Sequence, residues 1–215
     1  MKMQIQKIPN QIINGSITPL NLNRVNYIAL HHAATMADVK AIENAHVNGN
    51  GWNAIGYNYF IALDGTIYEG RGYKYMSASV VGHNNHIESI CFQGDYQNTL
   101  KTMPDEQFNA GVELISWLRS VLPRNAEIVG HKYFGGSVCP GQYFPLEEMK
   151  KLKKREESEM IYNYIDENMP QWARPTIQKL VDKGLLKGNE KGELGLNDTM
   201  LKIFVINDRA GVYGD

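Results

Sequence analysis

Apolar and polar positions recur along this chain with two different periods, and the switches between them mark out its elements. Asn26-Tyr27-Ile28-Ala29-Leu30 is a short, nearly continuous apolar run, which reads as a buried strand delivering His31 at its C-terminal end. Over residues 36–47 the apolar positions Val39 and Ile42, with Ala45 or Val47, fall at helical spacing behind Asp38, and Asn48-Gly49-Asn50-Gly51 stops the pattern. Residues 56–63 and 66–71 are β-prone runs joined by Asp64-Gly65, which predicts a hairpin with both turn residues at positive φ. Ser89-Ile90-Cys91-Phe92-Gln93 and Ala126-Glu127-Ile128-Val129 are two further strands. Between them Phe108, Val112, Ile115, Leu118 and Leu122 recur at steps of three or four, predicting a helix from Pro104 or Asp105 to Leu122. Residues 1–24 read as a surface arm, residues 72–88 as a loop over the site, and residues 145–155 as a closing helix.

Strands interleaved with helices around one hairpin specify an α/β fold with a mixed central β-sheet flanked by helices. The charge run over residues 150–159 reads as a solvated helix end or linker, which predicts a domain over residues 1–155 and a small α-helical C-terminal domain over residues 156–215. In the latter, Ile177, Leu180 and Val181 form one helical pattern closed by Gly184, and Asn197 caps a second helix running from about Asp198 to Arg209. Pro175 conflicts with the first pattern unless that helix starts close to it or is kinked.

Composition narrows the picture by exclusion. The chain has 215 residues, 43% hydrophobic and 21% charged, with a net charge of −1, so no global field favours nucleic acid or an anionic membrane surface. Two cysteines, Cys91 and Cys139, are too few for a disulfide scaffold and fit a reducing compartment. No apolar run is long enough for membrane insertion, and the N-terminal stretch lacks the core of a signal peptide, so synthesis in the (host) cytoplasm is expected.

The chemistry concentrates in Gly130-His131-Lys132-Tyr133-Phe134-Gly135-Gly136-Ser137-Val138-Cys139-Pro140, taken together with His31. Two imidazoles and one thiol are a donor set for zinc with one position left open, the pattern of a catalytic site; a structural site takes four ligands. Taken singly, each residue has an ordinary reading: a histidine is most often solvated, and a cysteine is most often a small buried apolar group.

Tyr27-Ile28-Ala29-Leu30-His31-His32, Gly51-Trp52 before Gly56-Tyr57-Asn58-Tyr59-Phe60, Asp64 to Arg71, Gly94-Asp95-Tyr96 and Gly130-His131 to Cys139-Pro140 together resemble the zinc-dependent N-acetylmuramoyl-L-alanine amidase family. This family includes phage-lysozyme-like amidases and peptidoglycan recognition proteins, and the resemblance covers roughly residues 20–152. It implies hydrolysis of the amide between N-acetylmuramic acid and L-alanine in bacterial peptidoglycan, as in a phage or prophage endolysin. The ligands it implies for Zn2+ are His31, His131 and Cys139. Tyr57 then falls on the family's tyrosine beside the metal, as a catalytic residue, and His46, Arg71 and His83 fall along the substrate groove. Ser137 stands where some members have a transition-state lysine and many recognition proteins a threonine, and it brings no charge. Cys91 occupies the strand position where some relatives place a glutamate base, and reads as core. His32 reads as a supporting residue on the opposite face. A non-catalytic peptidoglycan-binding protein is the alternative, and Cys139 argues against it.

The tail resembles a single S-layer-homology repeat through Trp172-Ala173, Ile177, Leu180, Gly184, Gly188 and Gly192-Glu193-Leu194, with Thr199-Met200 where such repeats carry Thr-Arg. That resemblance implies binding to a secondary wall polymer. The rival expectation is a homo-oligomer formed through this domain.

Overall fold

The computed structural model describes residues 3–155 and 160–214; residues 156–159, the end of the expected linker, lie outside the described residues. The chain divides into two compact units, residues 1–155 and 156–215.

In the first unit the strands are β1 (Ile5–Lys7), β2 (Tyr27–His32), β3 (Tyr59–Ile61), β4 (Ile67–Glu69), β5 (Ile87–Phe92) and β6 (Glu127–Gly130). They form one sheet in the order β1-β4-β3-β5-β2-β6. Only β3 and β4 pair antiparallel, through Tyr59 with Glu69 and Ile61 with Ile67; the other neighbours are parallel. The register that matters for the site sets His31 beside Cys91 and His32 beside Phe92.

One face of the sheet carries Ile28, Leu30, Ile90 and Phe92 against Phe108, Val112, Ile115 and Leu118 of α2 (Asp105–Val121), in the main core. Burying each such side chain contributes roughly 1.5–3 kcal/mol. The opposite face carries Cys91 and Phe60 against Val39 and Ile55, and Ala29, Ile87 and Val129 against Val80. Because side chains alternate along β2, His31 shares this second face with Ala29, while His32 turns toward α2.

Several expectations are corrected. Residues 1–24 are not merely a surface arm: β1 pairs in parallel with β4, and Ile8 and Leu20 are buried. The hairpin forms, but only Gly65 has positive φ, at 80°. Gly65 N–H bonds to Ala62 O at 3.0 Å and Ala62 N–H to Thr66 O at 2.9 Å, so a wider turn, with Asp64 Oδ1 accepting from Thr66 N–H at 2.9 Å, replaces the two-residue loop. The first helix, α1 (Val39–Asn44), is shorter than residues 36–47; Asp38 caps it, and it widens at Ala45–Gly49, where Asn50 N–H reaches back five residues to Ala45 O at 3.0 Å. The closing helix shrinks to α3 (Leu146–Met149). Leu152 takes φ of 52°, and Arg155 is drawn back onto Glu148 and Asp105 at 2.8 and 3.0 Å, so the helical spacing of Leu146, Met149 and Leu152 does not continue as helix.

In the second unit α4 (Arg174–Asp182) and α5 (Asp198–Arg209) pack through Ile177, Leu180, Leu201 and Val205, with Met169 and Ala173. Pro175 lies in the first turn of α4, where its missing N–H has no intrahelical partner to lose. Gly184, at φ of 66°, follows that helix, and Asn197 caps α5 by accepting from Met200 N–H at 2.8 Å. Asp208 ties the helices together, accepting from Thr176 Oγ1 at 2.8 Å and from Lys179 Nζ at 2.9 Å.

Candidate metal centre

His31 stands near the C-terminal end of β2, His131 opens the short helical turn that follows β6, and Cys139 closes the loop after that turn. The loop is drawn shut by a bond from Lys132 N–H to Cys139 O at 2.7 Å. Gly130 is required by close approach: a Cβ there would lie 2.6 Å from Pro140 Cδ, so the residue that follows the cysteine packs directly on the end of β6.

One donor atom from each of His31, His131 and Cys139 lies within 4.8 Å of the others. His31 Nδ1 is 3.8 Å from Cys139 Sγ, and the two imidazole centroids are 4.7 Å apart. Zinc bonds of about 2.3 Å to sulfur and about 2.0–2.1 Å to nitrogen at a tetrahedral angle set those donors about 3.5 Å apart, so the group fits the ion with slight contraction. His31 Nε2 is buried without a hydrogen-bond partner among the described residues, so no structural bond competes for the ring. Among the described residues no carboxylate joins this group of donors.

Electrostatics favour neutral imidazoles. Burial, then the charges of His131 and His32, hold His31 well below the ordinary histidine range, and burial lowers His131. Burial pushes the Cys139 thiol up to about 11, opposed only by the bond from His32 N–H to Sγ at 3.4 Å, so a cation in the group is needed to generate the thiolate.

Tyr57 stands beside the donors, its ring 5.4 Å from His31 and 5.5 Å from His46. Cys91, burial and Cys139 hold its phenol well above the ordinary value, so it stays protonated and can donate. Cys91 is wholly buried, as expected of core, yet it faces the site: it shares the face of its strand partner His31 and is the leading influence on the Tyr57 hydroxyl.

The remaining predicted residues separate. His46 sits in the widened turn after α1 and stacks on Trp52 at 4.8 Å; its Nδ1 accepts from Gly56 N–H at 3.1 Å, which leaves Nε2 as the protonated nitrogen of the neutral ring. Arg71 donates to the carbonyls of Ile55, Met76 and Ala54 at 2.7, 3.0 and 3.3 Å, so its guanidinium ties together the loops that carry them. Ser137 Oγ accepts from Cys139 N–H at 3.1 Å and so positions the cysteine. His83 lies apart from the metal group, with Nδ1 3.2 Å from His86 Nε2 and its ring 4.6 Å from Phe134. His32 Nδ1 accepts from Tyr96 N–H at 3.0 Å on the α2 side, which is the supporting role expected.

Sequence reasoning missed Asn58. Fully buried, it accepts from Ser89 N–H at 2.9 Å and donates to Gly72 O and Tyr75 O at 2.8 and 2.7 Å, pinning the segment that carries Tyr57 to β5. A polar residue between two aromatics in a strand-like run was the available signal.

Residues 21–142 match the N-acetylmuramoyl-L-alanine amidase family. The chain is 32% identical over 130 residues to peptidoglycan-recognition protein SC2 of Drosophila melanogaster, spanning 55% of this chain and 70% of that protein. Its fold superposes on the N-acetylmuramoyl-L-alanine amidase LysC of Clostridium intestinale with a TM-score of 0.59 and 28% identity, covering 70% of this chain and 97% of the other. A peptidoglycan recognition protein-LE structure in complex with tracheal cytotoxin, a monomeric diaminopimelic acid-type peptidoglycan, matches with a TM-score of 0.57 and 25% identity over 66% of this chain and 87% of that one.

Proposed function

This chain belongs to the N-acetylmuramoyl-L-alanine amidase family, and on that premise we propose that it hydrolyses the amide joining the lactyl group of muramic acid to L-alanine in peptidoglycan, with zinc held by His31, His131 and Cys139. The observation that carries the reading is the convergence of these three donors within 4.8 Å beside a protonated tyrosine. Zinc in such a set supplies an activated water and polarises the scissile carbonyl.

The chain's own residues do the rest. Tyr57 Oη donates its hydrogen to the oxygen on which charge develops, and its environment keeps it from ionising. His46 offers Nε2–H to the substrate from a ring fixed by Trp52 and Gly56. Ser137 and His32 hold Cys139 in place from either side through its N–H and its sulfur. Arg71 shapes the groove by gathering three backbone carbonyls. Recognition without cleavage is the second reading, favoured by the recognition proteins among the relatives; the intact cysteine favours hydrolysis.

In this reading the protein is a lytic, endolysin-type enzyme made in the cytoplasm of a bacterial host and acting on its wall. The second unit serves to hold a secondary wall polymer or to join copies of the chain. The test is digestion of purified peptidoglycan followed by mass spectrometry. Peptides with free N-terminal alanine, lost on chelation and restored by zinc, are expected; binding to the wall with no such peptides released rejects hydrolysis in favour of recognition.

A further inference from the structure

A cavity of about 410 Å³ lies at the opposite end of β2 from His31, lined by Asn23, Arg24, Asn26, Tyr27, His86 and Arg124. Among the described residues no acidic side chain lines it; the neighbouring carboxylate is that of Glu127, the strand partner of Tyr27, whose charge acts on Tyr133. Its two arginines come from the turn Leu22–Arg24 and from the loop between α2 and β6, so the fold brings together cations a hundred residues apart. In the first unit Arg71 and Arg119 are engaged by carbonyls and Arg155 by carboxylates. Among the described residues Arg124 meets only Asn26 Oδ1, at 3.2 Å, and no ion pair involves Arg24 or Arg124. The floor is firm: Asn26 N–H bonds to His86 O at 3.0 Å, and Glu127 N–H to Asn26 O at 2.8 Å. Two guanidiniums lining one cavity can take an oxyanion between them, since a guanidinium fork suits carboxylate and phosphate oxygens.

The wall beside the arginines is aromatic. The Tyr27 ring is 6.0 Å from His86 edge-on and 5.3 Å from Tyr133, which is 56% exposed. Burial, then His83 and Arg24, lower His86 and keep it an uncharged part of that wall. Tyr27 and His31 project from the same face of β2, and at about 3.3 Å per residue they are about 13 Å apart. Tyr27, in the wall of the cavity, thus lies on the same side of the sheet as the metal group.

We propose that this cavity binds an anionic substituent of a wall glycan, a carboxylate or phosphate group held by Arg24 and Arg124, with the adjoining sugar against Tyr27 and Tyr133. The glycan rests on the peptidoglycan reading above; the oxyanion rests on the cavity alone. Two sources share this chemistry: the lactyl carboxylate bared when a neighbouring stem peptide has been removed, and a phosphodiester linking a wall polymer to the strand.

The test is calorimetric titration of the full chain with peptide-free glycan strands, with the same strands after conversion of their carboxylates to methylamides, and with inorganic phosphate. Arg24→Gln/Arg124→Gln is expected to weaken binding at least about tenfold, and Arg24→Lys/Arg124→Lys to recover part of it because charge without the fork is retained. Binding of intact strands, lost on amidation, identifies the carboxylate; binding of phosphate, lost in the glutamine variant, identifies the phosphodiester. Equal binding of every probe by the wild type and the glutamine variant, both folded by circular dichroism, overturns the proposal. Hydrolysis of a monomeric muropeptide by the wild type is measured separately. Failure there with anion binding intact rejects the amidase reading and leaves the cavity assignment standing.

Discussion

The backbone N–H of His32 points at the sulfur of Cys139, 3.4 Å away, so the strand that supplies one donor also orients another. Neither His31 nor Cys139 is an independent graft on the fold. The sheet end and the loop after β6 are built against each other, so the affinity of the proposed metal site is expected to depend on both.

Replacing Cys139 with Ser tests this directly. Removing even an outer partner of a ligand typically costs about 10–100-fold in metal affinity, and loss of the soft donor itself is expected to cost at least about 100-fold. Competition with a chromophoric chelator measures it; affinity equal to wild type sinks the donor assignment.

Tyr57→Phe removes a hydroxyl without altering the donors. On a soluble muropeptide kcat is expected to fall on the order of 100–1000-fold, with zinc affinity held within a few-fold. Unchanged turnover removes Tyr57 from the mechanism, and a parallel loss of zinc makes its role structural.

Glu88 predicts a pH-dependent stability. It is wholly buried on the α2 side of β5, both carboxylate oxygens lack partners among the described residues, and burial raises it well above the ordinary carboxylate value. A raised acid favours the protonated fold: its contribution is complete below the unfolded pKa near 4.5 and is lost as pH climbs through the folded value. Glu88→Gln is therefore expected to stabilise the protein by about 1–3 kcal/mol at about pH 8 and by little at about pH 4. Urea unfolding at both pH values decides; an equal change at each contradicts the account.

Gly130→Ala places a methyl group 2.6 Å from Pro140 Cδ and 3.3 Å from Leu146 Cδ2. The expected cost is about 1–3 kcal/mol of stability, from overpacking, together with weaker zinc binding because Pro140 carries Cys139 with it. A denaturation midpoint identical to wild type contradicts the close packing.

Much of this was legible in the residues. The convergence of His31, His131 and Cys139 could be anticipated because metal chemistry tolerates few residue types, Tyr57 is marked only by the family resemblance, and Asp38 and Asn197 were legible because a cap must precede its helix. Elements decided by tertiary contact were not legible. The three residues of β1 form a strand only because β4 offers a free edge, and nothing local marks them. Leu146, Met149 and Leu152 have helical spacing, but the pull of Asp105 and Glu148 on Arg155 lies far away in sequence or around a turn. Glu88 escaped because a carboxylate at the start of a β-run reads as solvated. The three carbonyl partners of Arg71 come from loops whose approach only the fold determines.

The order of the strands has one further effect. β2 lies inside the sheet, between β5 and β6, while β6 is its outermost strand. The three donors therefore straddle a gradient of protection, one anchored in the interior and two carried on a margin that frays first. Ion uptake would act as a clasp on that margin, slowing amide exchange along β6 and the loop to Cys139 while leaving the already protected β2 nearly unchanged.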